Sequence, residues 1–497
     1  MLIAGHALDR ARHIYLIGAS GTGKSSLLVS MASQELAEGS GLAFIDPHGD
    51  TARALLDCIP AGRVRETIYF NPADHAYPIG FNPLECAHPL RRAAVADNVV
   101  SAFKHAFADS WGPRLEHFLL NACRTLLEQE SRTLLGIPKL FLDERYRRAC
   151  LRNVDDPMTR MFWELEYPTY SERLLSDALS PIFNKINRAL SSPELRNVFC
   201  QPKSTIDIRH IMDEGQILIV NLSKGRLGEG NASLMGCLLT SAIAQAALGR
   251  EDVAADERKP FALYVDEFQN FATGSFADIL SEARKYRLSL TLAHQFLAQV
   301  PEGLRKAAIA NCANFITLRV GAEDAPLIAQ HLGWKNPQTL TDLPDYRAFA
   351  KFLQNGKTSN ILQLALEKMP DTVSHAEQII RRSRNERGRQ RTVVEARIRR
   401  FLEGTKKPVG GKVKSRREQA AGSLTNVELQ ACAYIRPMPP GATRPRTPTK
   451  PRAHSISFDA QHVGQLVPVR WVAMAAIRSC HRQKPSRIFP PPLMYMQ

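Results

Sequence analysis

The sequence predicts an α/β protein: a mostly parallel sheet with helices on both faces, interrupted by an all-helical insertion and followed by a basic tail without fixed structure. Three observations carry this. Near-continuous runs of β-branched and aromatic residues recur, each followed by a polar or Gly-rich turn and then a helical pattern, as strands buried on both faces require. Residues 87–204 show helical periodicity over a length too great for a loop. Residues 405–497 hold 12 of the 31 prolines and 16 Lys and Arg against 3 Asp and Glu, a composition that cannot offset its ordering entropy by burial.

In chain order, the first strand is expected at 13–17 and the second at 42–46, with a helix opening at Ser26 between them. Both belong to 1–86, the first part of the core. The insertion, 87–204, carries helical patterns over 93–107, 115–128 and 173–190. The core resumes over 205–404 with strands at 217–221, 262–266, 288–293 and 315–320. Between the first two of these, the uncharged run 232–248 contains Ser233, Thr240, Ser241 and Gln245 and is at the lower limit of length for a bilayer span. A buried core helix is expected there. Asn355-Gly356, between the apolar runs 348–353 and 361–365, signals a hairpin expected to close the sheet edge. Beyond it, the apolar stretch 463–477 is broken by Pro468 and Arg470, so no transmembrane segment is expected in the chain.

A chain of 497 residues has room for two to four domains at roughly 100–200 residues each, and 44% hydrophobic residues can fill their cores. Disorder throughout is excluded. The net charge of +16 suggests a polyanionic partner, but 25 Lys and Arg against 7 Asp and Glu lie in 376–497 and leave the segment 1–375 at −2. Nine widely spaced cysteines, an odd number without a C-x-x-C pair, argue against a disulfide scaffold or a zinc site and for a reducing cytosol. The start of the chain lacks the pattern of an export signal.

Gly18-Ala19-Ser20-Gly21-Thr22-Gly23-Lys24-Ser25 matches G-x-x-x-x-G-K-[ST] and lies between a strand and a helix, as a phosphate-binding loop must. Its backbone amides, from Gly18, Ser20, Gly21, Thr22 and Gly23 through Lys24, Ser25 and Ser26, are expected to cradle the phosphates of ATP, helped by the helix N-terminus. Lys24 should reach the β- and γ-phosphates, and Ser25 should ligate Mg²⁺. The apolar strand Phe261-Ala-Leu-Tyr-Val265 ends in Asp266 and Glu267. Asp266 would hold Mg²⁺ and Glu267 would polarise the attacking water, the two side chains leaving the strand end on opposite faces. At the end of the next strand, Gln295 could sense the γ-phosphate; His294 beside it is better read as a packing residue. Eleven positions before Gln295 stands Arg284, which would ordinarily be a solvated side chain. Asp46-Pro-His-Gly-Asp50 reads either as a strand-ending turn with Asp50 as helix cap or as a second approach to the nucleotide. Trp111-Gly-Pro-Arg114 reads as a packing and capping device.

Taken together, the phosphate loop on the first strand, Asp46-Pro-His-Gly-Asp50, Phe81-Asn-Pro-Leu84 before a helical insertion, Val265-Asp-Glu267 and the Arg284 to Gln295 spacing resemble the HerA/FtsK superfamily. Over about 8–404 the chain is most similar to type IV secretion coupling proteins of the TraG/TraD kind. The resemblance implies a RecA-like ATPase core with an inserted all-helical domain, a ring, expected to be a hexamer, that moves DNA, and a partner in the secretion apparatus or the relaxosome. It also implies that Arg284 is an arginine finger acting on a neighbouring subunit, with Arg287 as the rival, and that Gln295 is the sensor glutamine. A cytoplasmic location, peripheral at the inner membrane through partners, follows from it. Only the short stretch 1–17 precedes Gly18, whereas the family places membrane helices or a small β-barrel there. A minimal form or a truncated reading frame is therefore expected. A HerA-like motor for double-stranded DNA and a nucleotide-gated DNA-binding scaffold are the alternatives.

Overall fold

The predicted apolar runs pair into one sheet of ten strands. In chain order these begin with β1 (Ile14–Ile17), β2 (Gly41–Asp46), β3 (Thr67–Phe70), β4 (Ile217–Asn221), β5 (Phe261–Val265), β6 (Leu288–His294), β7 (Asn314–Thr317) and β8 (Arg347–Lys351). There follow β9 (Leu353–Gln354) and β10 (Lys357–Thr358), a separate two-stranded ribbon, then β11 (Leu362–Ala365) and β12 (Val467–Pro468). The sheet runs β12-β11-β8-β7-β1-β6-β5-β2-β4-β3, and β7 through β3 are parallel throughout. β8 is antiparallel to β7 and to β11. This computed structural model describes residues 12–403 apart from 87, 274–275 and 367–372, together with 467–468. The tail expected to lack structure, 405–497, and the apolar stretch 463–477 lie outside the described residues except for 467–468.

Side chains alternate across the sheet and build a core on each side. Tyr15 and Ile17 of β1 join one cluster, Ile14 and Leu16 the other. On the second face lie helices Lys24–Ala37, Asp50–Asp57 and Ala376–Arg387. The first face carries helix Glu229–Leu248, which packs on helices Arg92–Ala106 and Ile208–Glu214. Each fully buried Leu or Val contributes roughly 1.5–3 kcal/mol, so strands such as β5, with five consecutive buried residues, hold the sheet interior. The segment Glu229–Asp252 is long and apolar enough to cross a membrane, yet 67% of its apolar window is buried inside the protein. It is the core helix expected from the uncharged run.

Between β3 and β4 the chain is helical, with its longest members at Arg92–Ala106, Pro113–Leu127 and Glu172–Ser191. Phe118, Phe141, Phe162 and Trp163 pack among them, and the Trp163 indole donates to Thr125 Oγ1 at 2.7 Å. Trp111 packs against the core as expected and donates to Glu116 Oε2 at 2.6 Å; Pro113 opens the helix, whose N-cap, Gly112, makes no side-chain bond.

Three expectations are corrected. β3 has no counterpart among the expected strands; it is a four-residue strand whose outer edge is met by Ser383 Oγ, which accepts from Tyr69 N at 2.9 Å. The Asn355-Gly356 turn, both residues at positive φ, joins the ribbon β9–β10 at the tip of the antiparallel pair β8–β11, so the expected hairpin forms, but β12 lies beyond β11 and takes the sheet edge. Asp50 is the first helical residue and the capping falls to Asp46, whose carboxylate accepts from His48 N at 2.7 Å and Ala52 N at 2.8 Å.

An unforeseen polar anchor lies before the amino ends of β4, β5 and β6, at the end of the sheet opposite the Asp46 turn. The Arg250 side chain is fully buried and donates to Asp213, to Lys259 O, to Tyr286 O and to Met212 O. Four acceptors satisfy the guanidinium, which is what its burial requires.

Candidate active site

β1, β6 and β5 are neighbours, and their carboxyl ends bring the sequence motifs to one place. The loop after β1 hangs from the two strands that flank it: Gly18 N donates to His294 O at 3.3 Å and Ala19 N to Arg319 O at 2.7 Å. Gly21 and Gly23 adopt φ of 78° and 108°, which residues with a Cβ rarely do, and so turn the loop into the helix that begins at Lys24. The first-turn N–H groups of that helix face the loop and are the donors a phosphate uses. Ser20, Gly21, Ser25 and Ser26 form its exposed rim, whereas Thr22 is buried with its hydroxyl donating to Ala19 O at 2.7 Å.

Lys24 is buried beneath this rim, with Nζ donating to Gly18 O at 2.8 Å and to Ala19 O at 3.3 Å. Burial holds its pKa below that of a free lysine, against the opposing pull of the Glu267 and Asp266 carboxylates. Asp266 follows β5 directly. Burial first, then the charges of Asp46 and Glu267, push its carboxyl up to about 7. Carboxylates gathered in this way are hard oxygen donors, and a divalent cation bound to them would favour the ionised Asp266.

Glu267 departs from the expected geometry. Strand β5 ends at Val265, and Glu267 sits at φ 48°, so a left-handed turn rather than strand alternation separates it from Asp266. Both carboxylate oxygens are held: Oε1 accepts from Gln295 Nε2 and Oε2 from Gln269 Nε2, each at 2.8 Å. Glu267 O accepts from Asn270 Nδ2 at 2.8 Å, and Asn270 O in turn meets Ser233 Oγ at 2.9 Å and His105 Nε2 at 3.2 Å. Gln295 thus reaches Glu267 directly. His294 does not: its side chain is fully buried, edge-on to Tyr15 and Phe268, with Nδ1 bonded to Phe296 O.

Lys24, Asp266, Glu267 and Gln295 converge; Arg284 stands apart. It is exposed on the 3₁₀ turn Ala283–Tyr286, before β6, at the end of that strand away from the phosphate loop. Seven residues of strand span about 20 Å, so Arg284 is out of reach of its own chain's loop. Arg287, next to it, adopts φ 58° and donates from Nε to Ala255 O at 3.2 Å. The residues that sequence reasoning missed are Gln269 and Asn270, which lie within the motif's own turn but carry no periodic signal. Tyr346 was missed as well; it approaches the loop from across the sheet, its N donating to Thr22 O at 2.9 Å.

A mostly parallel sheet with a phosphate loop on a central strand, an acidic pair at the end of the next strand but one and a helical insertion defines a RecA-like nucleotide-binding fold. More particularly, the chain belongs to the type IV secretion-system coupling protein DNA-binding domain family, whose profile matches residues 6–338. The resemblance to coupling proteins of the HerA/FtsK superfamily holds. Among solved structures, the chain is similar to the bacterial conjugative coupling protein TrwBdeltaN70 in its unbound form, at 19% identity and a TM-score of 0.53, over 73% of this chain and 87% of that one. The plasmid coupling protein TrwB in complex with ADP and Mg²⁺ matches at 17% identity and 0.53, over 74% and 88%. VirB4 of Thermoanaerobacter pseudethanolicus matches at 14% identity and 0.50, over 72% and 90%. At these identities the structures speak for the fold. No curated protein matches the chain.

Proposed function

We propose that this protein is an ATP-hydrolysing DNA translocase of the conjugative, type IV secretion coupling type, working as a ring of subunits, with six the expected number. The observation that carries the reading is the convergence of Lys24, Asp266, Glu267 and Gln295 at the carboxyl ends of three adjacent strands, with Gln295 bonded to Glu267. The domains that serve it are the core, 1–86 and 205–404, the helical insertion, 87–204, and the basic tail, 405–497. TrwB, of the same fold, has been captured with ADP and Mg²⁺ and with ATP and GTP analogues, which supports nucleotide as the ligand here.

Lys24 moves from the carbonyls of Gly18 and Ala19 onto the β- and γ-phosphates, while the loop amides from Gly18 to Ser26 hold the chain of phosphates. Mg²⁺ on Ser25 and Asp266 neutralises phosphate charge when bound. Glu267 orients and polarises the attacking water, and Gln295, already bonded to it, reports the state of the γ-phosphate to β6. Arg284 sits at the wrong end of its own sheet to act in cis, which supports a role on a neighbouring subunit's nucleotide. The substrate is DNA, the partners are further copies of the chain and components of the secretion apparatus or relaxosome, and the site of action is the cytoplasmic side of the inner membrane.

The test is ATPase turnover with and without single- and double-stranded DNA across a salt series. Wild type should be stimulated by DNA. Lys24→Ala should lose binding or turnover, Glu267→Gln should bind ATP without hydrolysing it, and Arg284→Ala should bind normally and lose about 10³-fold or more in turnover. Wild-type rates in Lys24→Ala or Glu267→Gln would contradict the assignment. Hydrolysis indifferent to DNA would favour the nucleotide-gated scaffold.

A further inference from the structure

The phosphate loop recognises phosphates and nothing more, so a nucleotide needs a second contact to be distinguished from any other polyphosphate. The rim of the loop offers one. Tyr346, just before β8, stands at φ 59°, a left-handed conformation that is a genuine outlier for a bulky aromatic residue. Two backbone bonds pin it there: its N donates to Thr22 O and its O accepts from Leu366 N, each at 2.9 Å. The ring lies against the loop itself. A Cβ added to Gly23 would meet Tyr346 Cδ1 at 2.9 Å and Leu366 Cδ1 at 3.2 Å. Yet the residue remains 53% exposed, among the large apolar side chains least covered by the protein. An aromatic ring fixed by strained backbone beside the phosphate-binding loop, and half exposed, offers surface on which a planar group can stack.

We propose that Tyr346, backed by Leu366, is the platform on which the nucleobase of the bound nucleoside triphosphate stacks. The proposal rests on the nucleotide-binding reading of the loop and adds the part of the ligand that the loop cannot see. Stacking is tolerant of base identity because every base presents a π-face, so Tyr346 selects nucleotide over bare polyphosphate rather than ATP over GTP. Ring stacking also predicts that the phenol hydroxyl is dispensable.

The experiment measures Mg²⁺-dependent binding of ATP, GTP and inorganic tripolyphosphate to the full chain by calorimetry. Tyr346→Gly removes the ring and relieves the strained backbone; Tyr346→Phe keeps the ring. Tyr346→Gly should weaken ATP and GTP about tenfold and leave tripolyphosphate unchanged, and Tyr346→Phe should bind all three as wild type does. Equal weakening of all three ligands in Tyr346→Gly would show that the residue only supports the loop, and unchanged ATP affinity would show that the base lies elsewhere; either result overturns the proposal. Lys24→Ala provides the separate control, since it should weaken tripolyphosphate and ATP alike. If wild type binds neither ligand, the reading of the loop fails before Tyr346 is at issue.

Discussion

His13 shows how a residue outside the motifs constrains the site's central strand. It precedes β1, and its neutral ring uses both nitrogens: Nδ1 accepts from Leu290 N at 3.0 Å and Nε2 meets Leu280 O at 3.1 Å. Burial, with Arg284 nearby, lowers its pKa from 6.5 to about 4. Between those values the unfolded chain takes up a proton and the folded one does not. The stabilisation is therefore complete above about 6.5 and is lost as pH falls towards 4, by on the order of 3 kcal/mol at about 1.4 kcal/mol per unit. Denaturant midpoints measured from pH 7 to pH 4 should fall, and His13→Gln should flatten that slope. At this scale the placement of Lys24, Asp266, Glu267 and Gln295 was readable, because a motif fixes residue type and spacing there. Asn270 and Tyr346 were not, because the tertiary fold recruits them and no local pattern marks them.

At the scale of elements, helix Glu229–Leu248 is tied to the turn after Glu267 by a missing side chain. A Cβ on Gly236 would lie 2.1 Å from the ring of Phe271, which is fully buried directly after the turn Phe268–Asn270. That turn carries the bond from Asn270 to Glu267 O. Gly236→Ala should therefore destabilise by about 1–3 kcal/mol, seen as a lower melting temperature, and should depress kcat for ATP more than nucleotide affinity. An unchanged kcat in a folded Gly236→Ala protein would separate the helix from the turn. The inner strands β2, β4, β5 and β6 were legible because burial on both faces writes them as continuous apolar runs. Strand β3 was not; it is an edge strand paired with β4 alone, and its other edge is met by Ser383, so tertiary contacts distant in sequence define it.

Across the whole molecule, the basic excess lies apart in sequence from the nucleotide-binding core. The segment 1–375 is near neutral, and 405–460 alone carries 11 Lys and Arg against 3 Asp and Glu. Deleting 405–460, which spares β12, should weaken nonspecific DNA binding and reduce the slope of log K against log salt, by at most about 0.9 for each phosphate no longer neutralised. ATP hydrolysis should persist; its loss would mean that the segment belongs to the motor.

The sheet order also sets a timetable for synthesis. β1 carries the phosphate loop, yet it sits between β6 and β7, and His13 finds Leu290 across 277 positions of sequence. At roughly 5–20 residues per second, a ribosome needs on the order of tens of seconds to supply those partners. Throughout that interval β1 has two unsatisfied edges, so the nascent chain is exposed to misplaced pairing, and ATP cannot act as a folding ligand until the chain has been made past β7.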